Sequence, residues 1–258
     1  MDGLIIAAGY GSRLASLSPS KPLTPVAGIA LLELAIRQLG AAGVGRVVVV
    51  TGHEAERLEA ALPALAERCA ITIEPVRCPD WSLPNGHSVI AGAARIAGAY
   101  LLVMADHIFA APILRNLAGA GAPDRGVTLA IDRRLDHPRI EPDDATWVRT
   151  APDGRIVAIG KTIARYDAVD CGAFLATPEL AAAIRAAIRD GRPGSLTDGM
   201  QRLADAGRAA TMDIGDDAMA AWWLDVDDPR AHALAEDEAP RFLPELYGST
   251  ETGLRRQP

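Results

Sequence analysis

Residues 4–14 read Leu-Ile-Ile-Ala-Ala-Gly-Tyr-Gly-Ser-Arg-Leu, and Lys-Pro-Leu follows at 21–23. The apolar run at the start of this stretch predicts a buried first strand over residues 4–8. Two glycines and a serine come directly after it, and small residues in this position predict a tight loop that closes near Arg13. We therefore expect the chain to begin with a strand that leads straight into a small-residue loop.

This loop carries residues that are suited to binding phosphate groups. Because Gly9 and Gly11 have no side chain, consecutive backbone N–H groups can point at phosphate oxygens. Arg13 offers a planar fork for an oxyanion, and Lys21 offers a mobile point charge. A loop of this kind after a first strand is typical of nucleotide binding.

Two commoner nucleotide-binding motifs are excluded by the same residues. The dinucleotide fingerprint requires a third glycine where Leu14 stands, and the complete Gly-x-x-x-x-Gly-Lys-Ser/Thr run of a P-loop does not occur in the chain. The motif Ala-Ala-Gly-x-Gly-x-Arg-Leu, a gap and Lys-Pro-Leu instead resembles the signature of the nucleotidyltransferase (nucleoside-diphosphate-sugar pyrophosphorylase) superfamily. The resemblance implies catalytic roles for Arg13 and Lys21 at the triphosphate. It also implies nucleotide binding by Ala7, Ala8, Gly9, Gly11 and Ser12.

Strands and helices alternate through the first half of the chain. Apolar residues at helical spacing predict helices over 31–39 and 54–69. The continuous β-branched run over 46–51 is typical of a strand buried on both faces of a parallel sheet, and 70–74 predicts a third strand. The pattern favours an α/β fold, a doubly wound, mostly parallel Rossmann-like sheet with the ligand at the carboxyl ends of the strands.

Composition limits the functional classes. The chain has 258 residues and a net charge of −7, which argues against a nucleic-acid partner. No charged leader precedes an apolar segment, and no run reaches the roughly 18 apolar residues of a membrane span. The three cysteines form no CxxC pair, which suits a reducing compartment, so we expect a cytoplasmic protein.

We expect one nucleotidyltransferase domain over 1–240, with a nucleotide-binding half over about 1–132 and an acceptor-binding half over about 133–240. A β-hairpin is predicted across the turn at 152–154, on the acceptor side. Residues 241–258 are polar and aperiodic, and are predicted to form a tail.

The run Pro-Asn-Gly-His-Ser at 84–88 has two interpretations. It can be a turn with a helix N-cap, because serine and asparagine cap helices well. In the superfamily, a loop at this point reads the nucleobase, and an Asn-Gly-x-Ser version looks like the cytidylyltransferases specific for inositol phosphate. The resemblance therefore implies that Asn85, Gly86 and Ser88 bind the nucleotide. An asparagine amide and backbone groups could match the edge of cytosine.

Three aspartates are candidate ligands of Mg²⁺. Asp106 stands in a strand predicted over 100–109, where a carboxylate suits Mg²⁺ beside a triphosphate, although a helix N-cap is the alternative. Asp225 and Asp227 lie two residues apart on a predicted strand and so share one face. Such close carboxylates repel each other unless a cation lies between them. The resemblance favours Asp227 as the partner of Asp106, with Asp225 as the alternate. The tryptophans at 222–223 are predicted to pack in the core.

The acceptor half carries the second of the chain's two lysines; the other 24 basic residues are arginines. The resemblance implies that Lys161 meets an acceptor phosphate and that Asp170 meets its hydroxyl groups. Residues 159–161 and 166–172 are again similar to the inositol-phosphate group, although Cys171 stands where we would expect threonine.

The nearest resemblance is to CTP:inositol-1-phosphate cytidylyltransferases. It implies transfer of CMP from CTP to a small phosphorylated alcohol, with L-myo-inositol-1-phosphate as the first candidate and Mg²⁺ as cofactor. Phosphocholine, an aminoalkyl phosphonate or a sugar-1-phosphate stay open as acceptors. A non-catalytic nucleotide-binding module of the same fold also stays open, as does a homodimer.

Overall fold

Alternate residues of the first strand pack into two separate hydrophobic clusters. Leu4 and Ile6 belong to one cluster, and Ile5 and Ala7 belong to the other. This is what a strand covered on both faces requires, because successive side chains point to opposite sides of a sheet. The computed structural model describes residues 1–215, 217 and 219–247.

The strands, in chain order, are β1 (Asp2–Ile6), β2 (Pro25–Val26), β3 (Ile29–Ala30), β4 (Arg46–Thr51), β5 (Thr72–Arg77), β6 (Tyr100–Met104), β7 (His107–Phe109), β8 (Val127–Asp132), β9 (Trp147–Thr150), β10 (Ile156–Gly160), β11 (Ala168–Ala176), β12 (Ala209–Asp213) and β13 (Trp223–Asp225). The helices are α1 (Leu31–Ala41), α2 (Ala55–Cys69), α3 (Gly86–Ala93), α4 (Ala111–Ala120), α5 (Pro178–Arg189), α6 (Leu196–Asp205), α7 (Pro229–Phe242) and α8 (Pro244–Tyr247).

A nine-stranded sheet forms the centre of the molecule. Its order runs β5-β4-β1-β6-β11, and β11 then pairs with both β8 and β9. Strands β1, β4, β5, β6, β8, β9 and β12 run in one direction, and β10 and β11 run against them. Helices α1, α2 and α4 pack on one face, and α3, α5 and α6 pack on the other. The α/β, mostly parallel fold is confirmed.

The strand predicted over 100–109 is two strands. β6 ends at Met104 and stays in the central sheet, whereas β7 leaves it and pairs with β13. Asp106 lies in the turn between them, and its carbonyl accepts a hydrogen bond of 2.9 Å from the N–H of Val226. The small β7–β13 sheet therefore carries the segment around 225–227 to the end of β6.

Part of the half predicted to bind the acceptor is an antiparallel extension of the central sheet. β9 and β10 form the predicted hairpin, and β9 pairs with the first residues of β11. The tryptophans at 222 and 223 are buried, which confirms that they belong to the core.

The chain beyond residue 240 differs from the expected tail. α7 continues to Phe242 and α8 follows, with Leu243 and Leu246 buried in the core. The prediction of a polar tail is therefore wrong for residues 241–247, because two leucines among polar neighbours are enough to fix the segment onto the core. The rest of that predicted tail, 248–258, lies outside the described residues. Among the described residues, no helix combines the length and the apolar character that a membrane span needs.

Candidate active site

The loop after β1 depends on Gly11. Its φ of 61° is left-handed, and a Cβ added there would lie 2.5 Å from the Cβ of Lys21. At Gly9, in contrast, no heavy atom of the described residues lies within 4 Å of the place where a Cβ would stand. Leu14 is fully buried and anchors the far end of the loop. Gly11 thus allows the lysine stem to approach, whereas Gly9 leaves open space beside the backbone.

The ammonium of Lys21 lies between carboxylates from two distant parts of the chain. Its Nζ donates to Oδ2 of Asp106 at 2.5 Å and to Oδ1 of Asp227. The lysine side chain is only 10% exposed, so this ion pair is shielded from solvent. Burial by itself would raise the pKa of Asp106, but Lys21 and His107 outweigh it and hold that pKa well below its usual range.

Arg13 and Lys161 extend this array of charges across the cleft. The guanidinium of Arg13 donates to Asp227 and, at 2.6 Å, to Asp144. Lys161 donates to the other oxygen of Asp144. The hydrogen bond from Lys161 is the main reason that the pKa of Asp144 is lowered. The cations of the loop and of the acceptor half are therefore linked through shared carboxylates.

His107 lies between two of the predicted metal ligands. Its Nδ1 is 2.8 Å from Oδ1 of Asp106 and 3.7 Å from Oδ1 of Asp225. Burial would lower the pKa of His107, but the two carboxylates raise it to about 9. The ring lies against Gly172, whose φ is 77° and where an added Cβ would lie 2.4 Å from the imidazole Cδ2.

A cluster of carboxylates fits a divalent cation. Oxygens of Asp144, Asp225 and Asp227 lie within 4.8 Å of one another, and Asp106, His107 and Asp225 form a second such group. The Oδ1 atom of Asp225 is buried and has no hydrogen-bond partner among the described residues. Burial also raises the pKa of Asp225. A hard cation is the ligand that would relieve a buried, unpartnered carboxylate oxygen.

Two adjoining cavities open onto this array. The larger has a volume of about 480 Å³ and extends from the β1 loop to the acceptor half. The smaller, of about 260 Å³, lies under the loop. Between them they are lined by most of the residues that the sequence singled out: Ala7, Ala8, Gly9, Gly11, Ser12, Arg13, Lys21, Asn85, Ser88, Asp106, Lys161, Asp170, Asp225 and Asp227.

The predicted nucleobase loop is divided by the fold. Asn85 and Ser88 line the larger cavity. Gly86 lies away from both cavities, where an added Cβ would be 2.3 Å from the carbonyl oxygen of Gly194. The Oδ1 atom of Asn85 accepts a hydrogen bond of 2.9 Å from the N–H of Leu196, at the start of α6. Gly86 therefore serves close packing, and one end of the Asn85 amide is already used within the protein.

The two residues predicted to bind the acceptor differ in exposure within the larger cavity. Lys161 is more than half exposed. Asp170 is partly buried and accepts a hydrogen bond of 2.7 Å from the N–H of Gly172. Burial raises the pKa of Asp170 to about 6, and the Gly172 N–H and His107 oppose that rise.

Sequence reasoning missed two residues of this site. Asp144 joins Arg13 to Lys161, yet it stands in an irregular Glu-Pro-Asp-Asp segment with no motif around it. Trp81 lines the larger cavity and is 41% exposed. For Trp81, the only signal in the sequence was a tryptophan in a polar stretch bounded by two prolines.

Comparison with known proteins identifies the family to which this chain is similar. Residues 3–205 match the model of the MobA-like NTP transferase domain family. A bifunctional IPC transferase and DIPP synthase of Rubrobacter xylanophilus is 34% identical over 239 residues, which are 90% of this chain and 50% of that protein. A CMP-5'-(3-aminopropyl)phosphonate synthase of Streptomyces rubellomurinus is 31% identical over 277 residues, 95% of this chain and 41% of that protein.

The fold is also shared with a solved structure. The inositol-1-phosphate CTP transferase from T. maritima superposes with a TM-score of 0.76 at 22% identity, over 91% of this chain and 94% of that one. The chain spans about half the length of the curated relatives that it matches.

Proposed function

The chain belongs to the MobA-like NTP transferase family and is a nucleotidyltransferase, and we propose that it transfers CMP from CTP to a small phosphorylated alcohol, L-myo-inositol-1-phosphate in the first place. The observation that carries the proposal is the position of Lys21. Its ammonium lies within hydrogen-bond distance of two carboxylates, those of Asp106 in the turn after β6 and of Asp227 just after β13.

In the proposed reaction, an oxygen of the acceptor phosphate attacks the α-phosphorus of CTP in line. The new P–O bond forms as the bond to the bridging oxygen breaks, and pyrophosphate leaves with that electron pair. A phosphate dianion is already a nucleophile near neutral pH, so no covalent intermediate or strong base is needed. Catalysis then rests on alignment and on neutralising charge.

The chain's own residues divide this work. The N–H groups of the loop that contains Gly9 and Gly11 bind the β- and γ-phosphates together with Arg13. Lys21 stabilises the charge that builds on the α-phosphate. Asn85 and Ser88, which line the larger cavity, contact the nucleobase.

Mg²⁺ is the proposed cofactor. Asp106 and Asp227 would hold it, with Asp225 as an alternate or additional ligand, and Asp144 belongs to the same acidic cluster. When bound, a divalent cation would neutralise phosphate charge and hold the phosphates in place.

The acceptor is proposed to bind at Lys161 and Asp170, which line the same cavity. A solved relative of this fold is an inositol-1-phosphate CTP transferase, and this supports inositol-1-phosphate. The phosphonate relative supports a second candidate, an aminoalkyl phosphonate, because it aligns with nearly the whole chain.

A matrix of pyrophosphate release tests the proposal. Five nucleoside triphosphates are each combined with inositol-1-phosphate, phosphocholine, aminoethylphosphonate and glucose-1-phosphate in the presence of Mg²⁺. We expect CTP with inositol-1-phosphate to give the highest kcat/KM. A higher value for CTP with the phosphonate would reassign the acceptor, and a preference for another triphosphate would overturn cytidylyl transfer.

A further inference from the structure

Three aromatic rings form a row beside the nucleotide loop. The ring centroids of Tyr10 and His53 are 4.6 Å apart with an interplanar angle of 88°. Those of His53 and Trp81 are 5.0 Å apart at 64°. Tyr10 is 55% exposed and Trp81 is 41% exposed, and edge-to-face contacts of this kind fix the rings relative to one another.

The backbone around Trp81 is shaped to hold the ring at the surface. A Cβ added to Gly52 would lie 2.5 Å from the Cβ of Trp81 and 2.7 Å from the carbonyl oxygen of Ala8, so the tryptophan lies directly against a glycine of the β4 end. On its other side, Asp80 accepts hydrogen bonds from the N–H and the hydroxyl of Ser82, at 3.1 and 2.6 Å. This turn fixes the backbone on both sides of Trp81.

The position of the ring indicates what it contacts. Trp81 lines the larger cavity together with Ala8, Gly9, Asn85 and Ser88. The other three tryptophans of the chain are buried. An exposed tryptophan therefore stands at the wall of the cavity where the proposed function requires a nucleobase.

We propose that Trp81 is a nucleobase-binding residue, whose indole face stacks on the base of the bound nucleoside triphosphate. This inference rests on the proposed function. Every nucleobase has a π-face, so stacking of this kind adds affinity without selecting one base, and selection is left to polar groups of the same wall. Edge-to-face contacts along the row through His53 and Tyr10 hold the indole in place.

The test compares a ligand that has a base with one that lacks it. Calorimetric titrations measure the Kd of CTP and of inorganic tripolyphosphate for the full chain and for Trp81→Ala. We expect the substitution to weaken CTP binding by about 5- to 100-fold and to leave tripolyphosphate binding unchanged. Trp81→Phe keeps an aromatic face and should recover most of the CTP affinity.

The matched control is Tyr166→Ala, which removes an aromatic ring of similar exposure that stacks on Trp147 in the acceptor half. It should leave CTP binding unchanged. Unchanged CTP affinity in Trp81→Ala, or an equal loss for CTP and tripolyphosphate, would overturn the stacking role while the proposed function stands. If the unsubstituted chain binds no nucleoside triphosphate, the proposed function itself has failed. If it prefers another triphosphate, the same comparison applies to that nucleotide.

Discussion

The Nζ atom of Lys21 lies 2.5 Å from Oδ2 of Asp106, although 85 positions separate the two residues in the chain. The same ammonium contacts Asp227, which lies 206 positions away. These contacts balance positive and negative charge at one point of the cleft. A phosphate or a divalent cation that binds there therefore competes with an ion pair that the protein already makes.

Replacement of Lys21 by methionine should lower kcat by about 10²- to 10³-fold, the loss expected for one preorganised charge donor. Methionine keeps most of the apolar stem that packs against Gly11 but leaves Asp106 and Asp227 without this cation, so the melting temperature should fall although the variant still folds. The measurement is steady-state pyrophosphate release beside thermal unfolding of the same preparation. Turnover at the wild-type rate would show that the ammonium does not act on the transition state.

Two glycines of the same loop should respond differently to alanine. Gly11→Ala forces a Cβ against the stem of Lys21 at a left-handed φ, so we expect a loss of about 1–3 kcal/mol in unfolding free energy and a lower kcat. Gly9→Ala meets open space and should fold with unchanged stability, while its methyl group raises the KM for CTP. Denaturant unfolding and kinetics on both variants make the comparison. Equal stability of the two variants would contradict the close approach at Gly11.

If the acidic cluster binds Mg²⁺, replacing its carboxylates one at a time should reduce the Mg²⁺-dependent activity to different extents. Asp227→Asn should reduce Mg²⁺-dependent activity by at least about 100-fold, because a carboxylate ligand worth several kcal/mol is lost. Asp225→Asn decides whether this second carboxylate also binds metal, and Asp144→Asn serves as the comparison from the same cluster. Activity is measured as a function of Mg²⁺ concentration. A wild-type Mg²⁺ profile for Asp227→Asn would remove that residue from the metal site.

Lys161→Ala should raise the KM for the acceptor more than the KM for CTP. The side chain lines the larger cavity and donates to Asp144, and the proposed function assigns it to the acceptor phosphate. Both KM values come from a two-substrate titration, with Lys161→Arg as the variant that keeps the charge. Equal increases in the two constants would contradict an acceptor role.

Away from the cleft, Glu33 should make stability depend on pH. Burial would raise its pKa, but hydrogen bonds from Arg68 at 2.7 Å and Arg37 at 2.6 Å lower it below its ordinary value of 4.5. A lowered folded-state pKa means that ionised Glu33 stabilises the fold above pH 4.5, and that this contribution is lost as the pH falls from 4.5 through the folded pKa.

Urea unfolding of Glu33→Gln and of the unsubstituted chain between pH 3 and 7 checks this dependence. The difference in unfolding free energy should be largest near neutral pH and should shrink below about pH 4.5. Glu67→Gln, an exposed position on α2, is the control and should show no such trend. A difference that is constant across the pH range would show that the charge of Glu33 is not involved.

Parts of the fold and the site were readable from the chain because they are local. The strand over 4–8, the β-branched run of β4 and the hairpin around 152–154 each carry their own periodicity or turn residues. The break between β6 and β7 was not readable, since apolar residues stand on both sides of Asp106 and His107 and the whole segment resembles one strand. What ends β6 is the pairing of β7 with β13, more than 100 residues further along the chain.

The nucleobase loop shows the same limit at single residues. Asn85 and Gly86 fit a recognition motif by residue type and spacing. In the structure, however, Gly86 packs against residue 194, and the amide oxygen of Asn85 accepts a hydrogen bond from residue 196. Trp81 shows the reverse, because its exposure depends on Gly52 and on the turn at 80–82. Both outcomes depend on residues that are distant in the chain, Gly194 and Leu196 in the first case and Gly52 in the second.

By itself the sequence determined the alternation of strands and helices, the glycine loop after β1, and the set of cations and carboxylates that the chain carries. Hydrophobic periodicity, turn residues and charge are properties of residues that are neighbours in the chain, so they can be recognised from the sequence alone. Only the tertiary structure decided which carboxylate meets which cation, and that Asp144 joins Arg13 to Lys161. Those contacts arise where strands distant in the chain end at one edge of the sheet, and an interaction that falls off with distance depends on that arrangement.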